Sequence, residues 1–136
     1  MFLAPSRYEE LRDGLAALAV TGGPDGERVH RDGQCRLWWG RTPIDLFFAY
    51  DPLHEAMRRG LRREPFAETQ IPVLAPEHLI ICKVVFNRPK DWLDIEQVLV
   101  GVEDLDGAEV LDWLRRILGA RDDRLGRFGA LLEAVG

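Results

Sequence analysis

The sequence has no excess of basic residues, although charged residues are common in it. Its 136 residues include 18 Lys and Arg against 23 Asp and Glu, which gives a formal net charge of −5 at pH 7. A protein that binds nucleic acid by itself usually carries a basic excess to offset the phosphate charge. The composition therefore weighs against an autonomous nucleic-acid-binding protein. It leaves room for a small nucleotide site, which needs only a few local cations.

Cysteine, histidine and long apolar runs are scarce as well. The two cysteines, Cys35 and Cys82, are far apart in apolar surroundings, which favours buried free thiols over a disulfide. The three histidines share no metal-ligand spacing with each other or with the cysteines, so we expect no zinc site. No apolar run approaches the roughly 20 residues of a membrane-spanning helix. The first residues also lack the cationic flank of a signal peptide. We therefore predict a cytoplasmic protein with no membrane partner.

The first half of the chain predicts a helix followed by a small sheet. Helical spacing after a capping box at Ser6–Glu9 predicts a helix over residues 7–20. Strands are predicted over residues 27–31, 34–39 and 42–50, and the first two are joined by a hairpin turn at Asp32–Gly33. A short helix to about Arg59 and one or two edge strands over residues 63–73 follow.

The second half predicts helices only. They cover residues 77–86, residues 92–100 with Asp91 as the N-cap, a helix capped by Asp106 that ends at Gly119, and residues 123–134. The order indicates an α+β fold. We predict one domain in two parts, with a helix and a small sheet in residues 1–74 and helices in residues 75–136.

Two stretches are less ordinary than the rest. In the first, WWGRTPIDLFF over residues 38–48, Asp45 interrupts a predicted buried strand. A carboxylate there must bind a metal or pair with a cation, and Arg36 and Arg41 are the candidates. The Trp38–Trp39 pair directs one indole to each face of the strand, so we expect one in the core and the other on a stacking or interface surface.

The second stretch reads IPVLAPEHLIICK over residues 71–83 and RPKDWLDI over residues 88–95. Lys83 interrupts an apolar helix, and a lysine there needs an anionic partner. Asp94 lies one helical turn after Asp91 and can pair with Arg88, Lys90 or Lys83.

In this order and spacing, the two stretches resemble the minimal nucleotidyltransferases that serve as toxins in abortive-infection, type IV, toxin–antitoxin systems. The resemblance runs over essentially the whole chain. It implies a partial nucleotidyltransferase fold, similar to a polymerase β palm, with a mixed sheet, flanking helices and a helical C-terminal part. Members of the family transfer a nucleoside monophosphate from an NTP to an RNA or protein acceptor. The resemblance thus implies Mg²⁺ and NTP as cofactors, and a nucleotide, a cognate antitoxin and a tRNA or protein acceptor as partners.

The resemblance also implies roles for single residues. Asp45, Lys83 and Asp91 would be catalytic, with Asp45 as a metal ligand and Lys83 stabilising charge on the triphosphate. Arg88, Lys90 and Asp94 would contact the nucleotide. Each residue has a structural alternative as well. Asp45 and Asp94 could simply form ion pairs, Lys83 could pack its stem in the core, Asp91 could cap a helix, and Arg88 with Lys90 could solvate a loop.

The sequence departs from the family at its start. The family begins with a Gly-Ser turn that holds the triphosphate and a strand with an Asp-x-Asp metal motif. This sequence has neither ahead of its first predicted helix, and Met1–Pro5 resembles the end of that aspartate strand. We therefore expect this chain by itself to be inactive or nearly so. The alternative is a non-catalytic degenerate palm that serves as an oligomerisation module or an antitoxin-type protein-binding module.

The missing segment also suggests an assembly. Without it, one edge of the sheet and part of the core would be uncovered, and such surfaces are usually covered by another chain. We predict a homodimer or a higher oligomer, with Phe2, Leu3 or the strand of Trp38–Trp39 in the interface.

Overall fold

The computed structural model describes residues 2–3, 7–49 and 51–136. Within these residues the α+β class predicted from the sequence is confirmed, because strands and helices mix at first and helices alone follow. The elements are β1 (Phe2–Leu3), α1 (Tyr8–Ala16), β2 (Val20–Thr21), α2 (Gly26–Asp32), β3 (Gln34–Trp39), β4 (Thr42–Phe48), α3 (Pro52–Arg59), β5 (Arg62–Phe66), β6 (Thr69–Val73), α4 (Pro76–Phe86), α5 (Pro89–Gly101), α6 (Gly107–Leu118) and α7 (Asp123–Val135).

The chain divides into two compact units, Met1–Arg59 and Gly60–Gly136. The sequence analysis predicted the boundary between the two parts later, between residues 74 and 75. The compact second unit starts earlier because the β5–β6 hairpin leads directly into α4.

The first unit is built on a four-stranded sheet in the order β1-β4-β3-β2. β1 runs parallel to β4, whereas β3 pairs in antiparallel register with both β4 and β2. The β3–β4 register sets Arg36 directly opposite Asp45. The sheet is therefore mixed, and it brings a cation next to the strand aspartate.

One face of this sheet is buried. Side chains alternate between the two faces of a strand, and the inward ones are Cys35 and Leu37 on β3 with Leu46 and Phe48 on β4. They pack with residues of α1, β2 and α2, namely Tyr8, Val20 and Val29. The Tyr8 hydroxyl donates a hydrogen bond of 2.8 Å to the carbonyl oxygen of Pro24. This bond fastens the segment after β2 to the first helix.

The helix α2 replaces a strand that the sequence predicted, so the prediction over residues 27–31 is wrong. The Asp25 carboxylate accepts a 2.8 Å hydrogen bond from the backbone N–H of Arg28, which is a helix N-cap. Gly33 then ends the helix in the left-handed conformation, with φ of 65°. The predicted hairpin turn at Asp32–Gly33 is in fact the end of a helix, since a glycine with positive φ serves either purpose.

The other boundaries differ less from the predictions. The first helix ends at Ala16, because Val20 already belongs to β2. The predicted capping serine, Ser6, and the predicted end of the third strand at Tyr50 lie outside the described residues. The short helix α3 is confirmed. The one or two edge strands predicted over residues 63–73 are two strands, β5 and β6, which pair with each other as a hairpin.

The second unit is a hairpin followed by packed helices. α4 packs against α5 and α6, and α7 packs against α5 and α6. The predicted core position of α4 is confirmed, since Ile80, Ile81 and Val84 are fully buried. The Asp106 cap of α6 is confirmed too, because its carboxylate accepts a 2.9 Å hydrogen bond from the N–H of Glu109. Among the helices that the structure describes, none has the length and apolar character to cross a bilayer.

Candidate functional site

A cleft of about 750 Å³ lies in the first unit, within the size range of small-molecule sites. β3 and β4 supply one part of its lining. The segment from Gly23 to Arg28, which joins β2 to α2 and forms the start of α2, supplies the other. The polar residues that line the cleft are Arg28, Gln34, Arg36 and Asp45.

Arg36 and Asp45 form a two-pronged ion pair in this cleft. The Arg36 Nε donates to Asp45 Oδ1 at 2.6 Å, and Nη2 donates to Oδ2 at 2.9 Å. The antiparallel register produces the pair, because it sets the two residues opposite each other on one face. These hydrogen bonds from Arg36 lower the pKa of Asp45 below its ordinary value. The Asp45 side chain is still 45% exposed. Of the two cations that the sequence allowed, Arg36 is the partner.

The surroundings of Asp45 do not fit the two Mg²⁺ ions that the family resemblance implies. Two-metal phosphoryl transfer needs several carboxylates around ions about 3.5–4 Å apart. Both Asp45 oxygens are engaged by Arg36, and the described residues contain no group of three or more His, Cys, Asp or Glu that could hold a metal ion. The described lining of the cleft therefore offers one carboxylate, already paired, where the chemistry requires several.

The two tryptophans at the end of β3 are both exposed. Trp38 is 42% exposed and Trp39 is 62% exposed, so the expectation that one of them belongs to the core is wrong. The buried residues of β3 are Cys35 and Leu37, which lie nearer its start. The end of the strand is paired only with the two-residue strand β2 on one side and the first residues of β4 on the other, and this leaves both indoles uncovered.

A second charged group lies in the second unit, where α4 meets the start of α5. The Lys83 Nζ is 2.6 Å from Asp94 Oδ2 and 3.8 Å from Asp91 Oδ1. Lys83 therefore has the anionic partner that the sequence predicted for it. Of the three cations considered for Asp94, Lys83 is the one that pairs with it.

Asp91 is the most enclosed member of this group, with no exposed surface. The backbone N–H, Nε and Nη2 of Arg88 donate to its oxygens at 3.1, 2.7 and 3.0 Å. The bonds from the Arg88 side chain lower the pKa of Asp91 below its ordinary value. The prediction that Asp91 is the N-cap is wrong by three residues. Proline suits the first helical position, so α5 begins at Pro89 with Arg88 as the N-cap.

The structure thus brings four predicted site residues of the second stretch together: Lys83, Arg88, Asp91 and Asp94. Their two cations and two carboxylates pair with each other. Lys90 is exposed on the first turn of α5. As it stands, the group links α4 to α5, and a phosphate would have to compete with Asp94 for Lys83.

Arg28 and Gln34 are cleft residues that the sequence analysis did not select. Arg28 lay inside a segment predicted as a strand, so its place beside β3 could not be inferred. Asp25 was the available signal, because an aspartate three residues before Arg28 is typical of a helix start.

No model of a known protein family matches this chain, and no curated protein is significantly similar to it. The family resemblance therefore stays a prediction from the two sequence stretches.

Proposed function

We propose that this chain is a nucleotidyltransferase-like domain of the toxin–antitoxin type. In complete form, such a domain transfers a nucleoside monophosphate from an NTP to an RNA or protein acceptor. The chain by itself, with one paired carboxylate in its cleft, transfers nucleotides at a rate well below detection. The finer fold assignment, a partial polymerase β-like palm, is part of this proposal.

The observation that carries the proposal is a charged group that joins the two phrases of the second stretch. Lys83 ends the phrase IPVLAPEHLIICK, and Asp91 and Asp94 belong to the phrase RPKDWLDI. The Lys83 ammonium lies within 4 Å of both carboxylates. Two helices can pack against each other through apolar residues alone, so the packing of α4 against α5 does not require a charged residue at position 83. A lysine held by two aspartates at that point fits a site that handles charge better than it fits plain packing.

The position of β1 gives a second line of support. Met1–Pro5 resembles the end of the family's aspartate strand, and β1 pairs in parallel with β4, with Phe2 opposite Phe47. In that register, a strand continued two residues before Phe2 would reach the level of Asp45. An Asp-x-Asp strand joined to β1 would therefore run beside the one carboxylate that the cleft already has.

The test is a gain of activity. The Gly-Ser and Asp-x-Asp segment of a minimal nucleotidyltransferase is fused before Phe2, and the fusion is incubated with α-labelled NTPs, Mg²⁺ and total tRNA or cell extract. We expect label transfer by the fusion and none by the chain alone. Each missing electrostatic element typically costs about 3–4 kcal/mol of transition-state stabilisation.

Two substitutions in the fusion make the test specific. Asp45→Asn should abolish transfer, whereas Asp112→Asn, which removes an exposed carboxylate paired with Arg116 on α6, should leave it unchanged. A folded fusion that transfers no label would contradict the proposal. Transfer by the chain alone that Asp45→Ala abolishes would contradict the statement that the chain is inactive.

The exposed Trp38 and Trp39 favour the second candidate function, a non-catalytic module that binds another protein chain. Two uncovered indoles at the end of one strand are typical of an interface. Light scattering at micromolar concentration tests the homo-oligomer, and Trp39→Ser should shift an oligomer towards monomer. A chain that is monomeric at every concentration would remove self-association from this candidate.

A further inference from the structure

The helix α5 carries an exposed apolar stripe in the second unit. Leu93 and Val100 lie seven residues apart, which is about two helical turns, so they are on the same side of the helix. Leu93 is 62% exposed and Val100 is 75% exposed. Glu96 and Gln97, which lie between them in the sequence, are exposed as well. Apolar residues at seven-residue spacing are typical of a helix face that packs against a second helix.

The charges at the two ends of α5 have the signs that a helix dipole disfavours. The N-terminal end of a helix favours anions, and the C-terminal end favours cations. Lys90 nevertheless lies in the first turn of α5, where the one acidic residue, Asp91, is engaged by Arg88. Glu103 and Asp104 follow directly after the C-terminal end. In the described part of the chain, Lys90 and these two acidic residues are exposed and form no ion pair.

We propose that α5 packs antiparallel against α5 of a second copy of this chain, in a two-fold symmetric dimer. A two-fold interface uses the same surface on both copies, so the surface must be complementary to itself. With the axis midway between Leu93 and Val100, each of these residues meets the other in the partner. The same axis brings Lys90 to the level of the partner's Glu103, because both lie three residues outside the apolar pair.

The antiparallel arrangement also explains the charges at the helix ends. Each end of α5 lies beside the opposite end of the second copy, so Lys90 approaches an acidic segment and the C-terminal end of a helix. A parallel arrangement would bring like charges together instead. The second copy is therefore the occupant that the charges of this face select.

This surface belongs to the second unit, so it is distinct from the Trp38–Trp39 surface of the first unit. The proposal does not depend on nucleotidyl transfer, and the fusion experiment and the experiments below can fail separately. The face is a single helix of 13 residues, and small interfaces form weak complexes. We therefore expect weak association, which requires measurement up to a protein concentration of about 1 mM.

Sedimentation equilibrium of the full chain measures this association. We expect a monomer–dimer equilibrium, which Leu93→Ser should weaken about tenfold because the residue lies at the centre of the interface. Phe66→Ser is the matched control, since Phe66 is 63% exposed but lies on the β5–β6 hairpin, and it should leave the equilibrium unchanged. A chain that stays monomeric over the whole range would overturn the proposal. A dimer that Leu93→Ser does not weaken would overturn it too.

Exchange of the charges tests the antiparallel arrangement. Lys90→Glu and Glu103→Lys should each weaken dimerisation several-fold, because like charges then meet across the axis. The double variant should recover most of the association, and so should an equimolar mixture of the two single variants, since opposite charges meet again in both cases. Failure of the double variant and of the mixture to associate would overturn the arrangement.

A matched control separates this pairing from the effect of net charge. Arg121 is an exposed cation between α6 and α7, so Arg121→Glu changes the net charge by the same amount as Lys90→Glu. We expect Arg121→Glu to leave the dimer unchanged at moderate ionic strength, where distant exposed charges are screened. Equal weakening by both substitutions would show general electrostatic repulsion between copies and overturn the pairing of Lys90 with the partner's Glu103.

Discussion

Asp45 and Asp91 each accept two side-chain hydrogen bonds from one arginine, yet the two pairs have different surroundings. The Asp45 side chain is 45% exposed beside a cleft, whereas the Asp91 side chain has no exposed surface and also lies 3.8 Å from Lys83. Exposed ion pairs contribute little to stability, while breaking a buried pair leaves a charge without a partner. The same pairing motif is therefore available to a ligand in the first unit and is part of the packing in the second.

The largest expected effect is on stability, which substitution of Asp91 should lower far more than substitution of Asp45. Asp91→Ala removes the carboxylate that accepts from Arg88 and neighbours Lys83, so we expect the urea midpoint to fall by about 1 M. Asp45→Ala should lower it by no more than about 0.3 M, because water can solvate the exposed Arg36. Equal shifts, measured by circular dichroism in urea, would contradict the distinction between the two pairs.

A glycine pair tests how tightly the cleft wall is packed. Gly23 and Gly40 both have positive φ, 92° and 60°, so alanine strains the backbone at either position. At Gly23, an added Cβ would also lie 2.5 Å from Leu37 Cδ2 and from the Tyr8 hydroxyl, whereas at Gly40 it meets nothing within 4 Å. Gly23→Ala should therefore lower the free energy of unfolding by about 1–3 kcal/mol more than Gly40→Ala.

The pH dependence of stability offers a smaller effect. The pKa of Asp91 is lower in the folded chain than its ordinary value, so its stabilising contribution is complete above about pH 4 and is lost as the pH falls through the folded pKa. Asp91→Asn should lose less stability than the wild type between pH 4 and pH 2. Some acid sensitivity should persist, because Arg124 lowers the pKa of Asp122 to about 2. An unchanged slope in Asp91→Asn, from urea titrations at each pH, would contradict this assignment.

The smallest expected effect concerns Lys90. It is exposed, unlike Lys83, although both belong to the two stretches that resemble the family. Lys90→Ala should change the free energy of unfolding by less than about 0.5 kcal/mol. Lys83→Ala should cost clearly more, because Asp94 and Asp91 lose their shared cation. Comparable small changes in both variants would show that the Lys83 group contributes nothing to the fold.

Periodicity predicted the elements that bury one clear face. The apolar run around Ile80 predicted α4, and alternation around Leu37 and Leu46 predicted β3 and β4. The failures came from residues with two possible structural roles. Gly33 suits a hairpin turn and a helix end equally well, and Pro89 moved the start of α5 ahead of Asp91.

The candidate site was predictable only in part, because partners depend on register and packing. The sequence could propose that Asp45 and Lys83 need oppositely charged neighbours, since burial of a lone charge is costly. It could not choose between Arg36 and Arg41, because that choice depends on how β3 pairs with β4. The exposure of both tryptophans was missed for the same reason, since alternation along β3 does not reveal that the sheet ends there.

The hydrogen bond from Tyr8 to Pro24 has a consequence for any ligand of the cleft. Pro24 lines the cleft, and the bond holds it against the first helix before a ligand arrives. Ordering a loosely held loop on binding costs conformational entropy, which subtracts from affinity. With this wall already fixed, a ligand keeps more of its contact energy as affinity. Removing one phenolic oxygen, as in Tyr8→Phe, would loosen the wall without touching a single charged group.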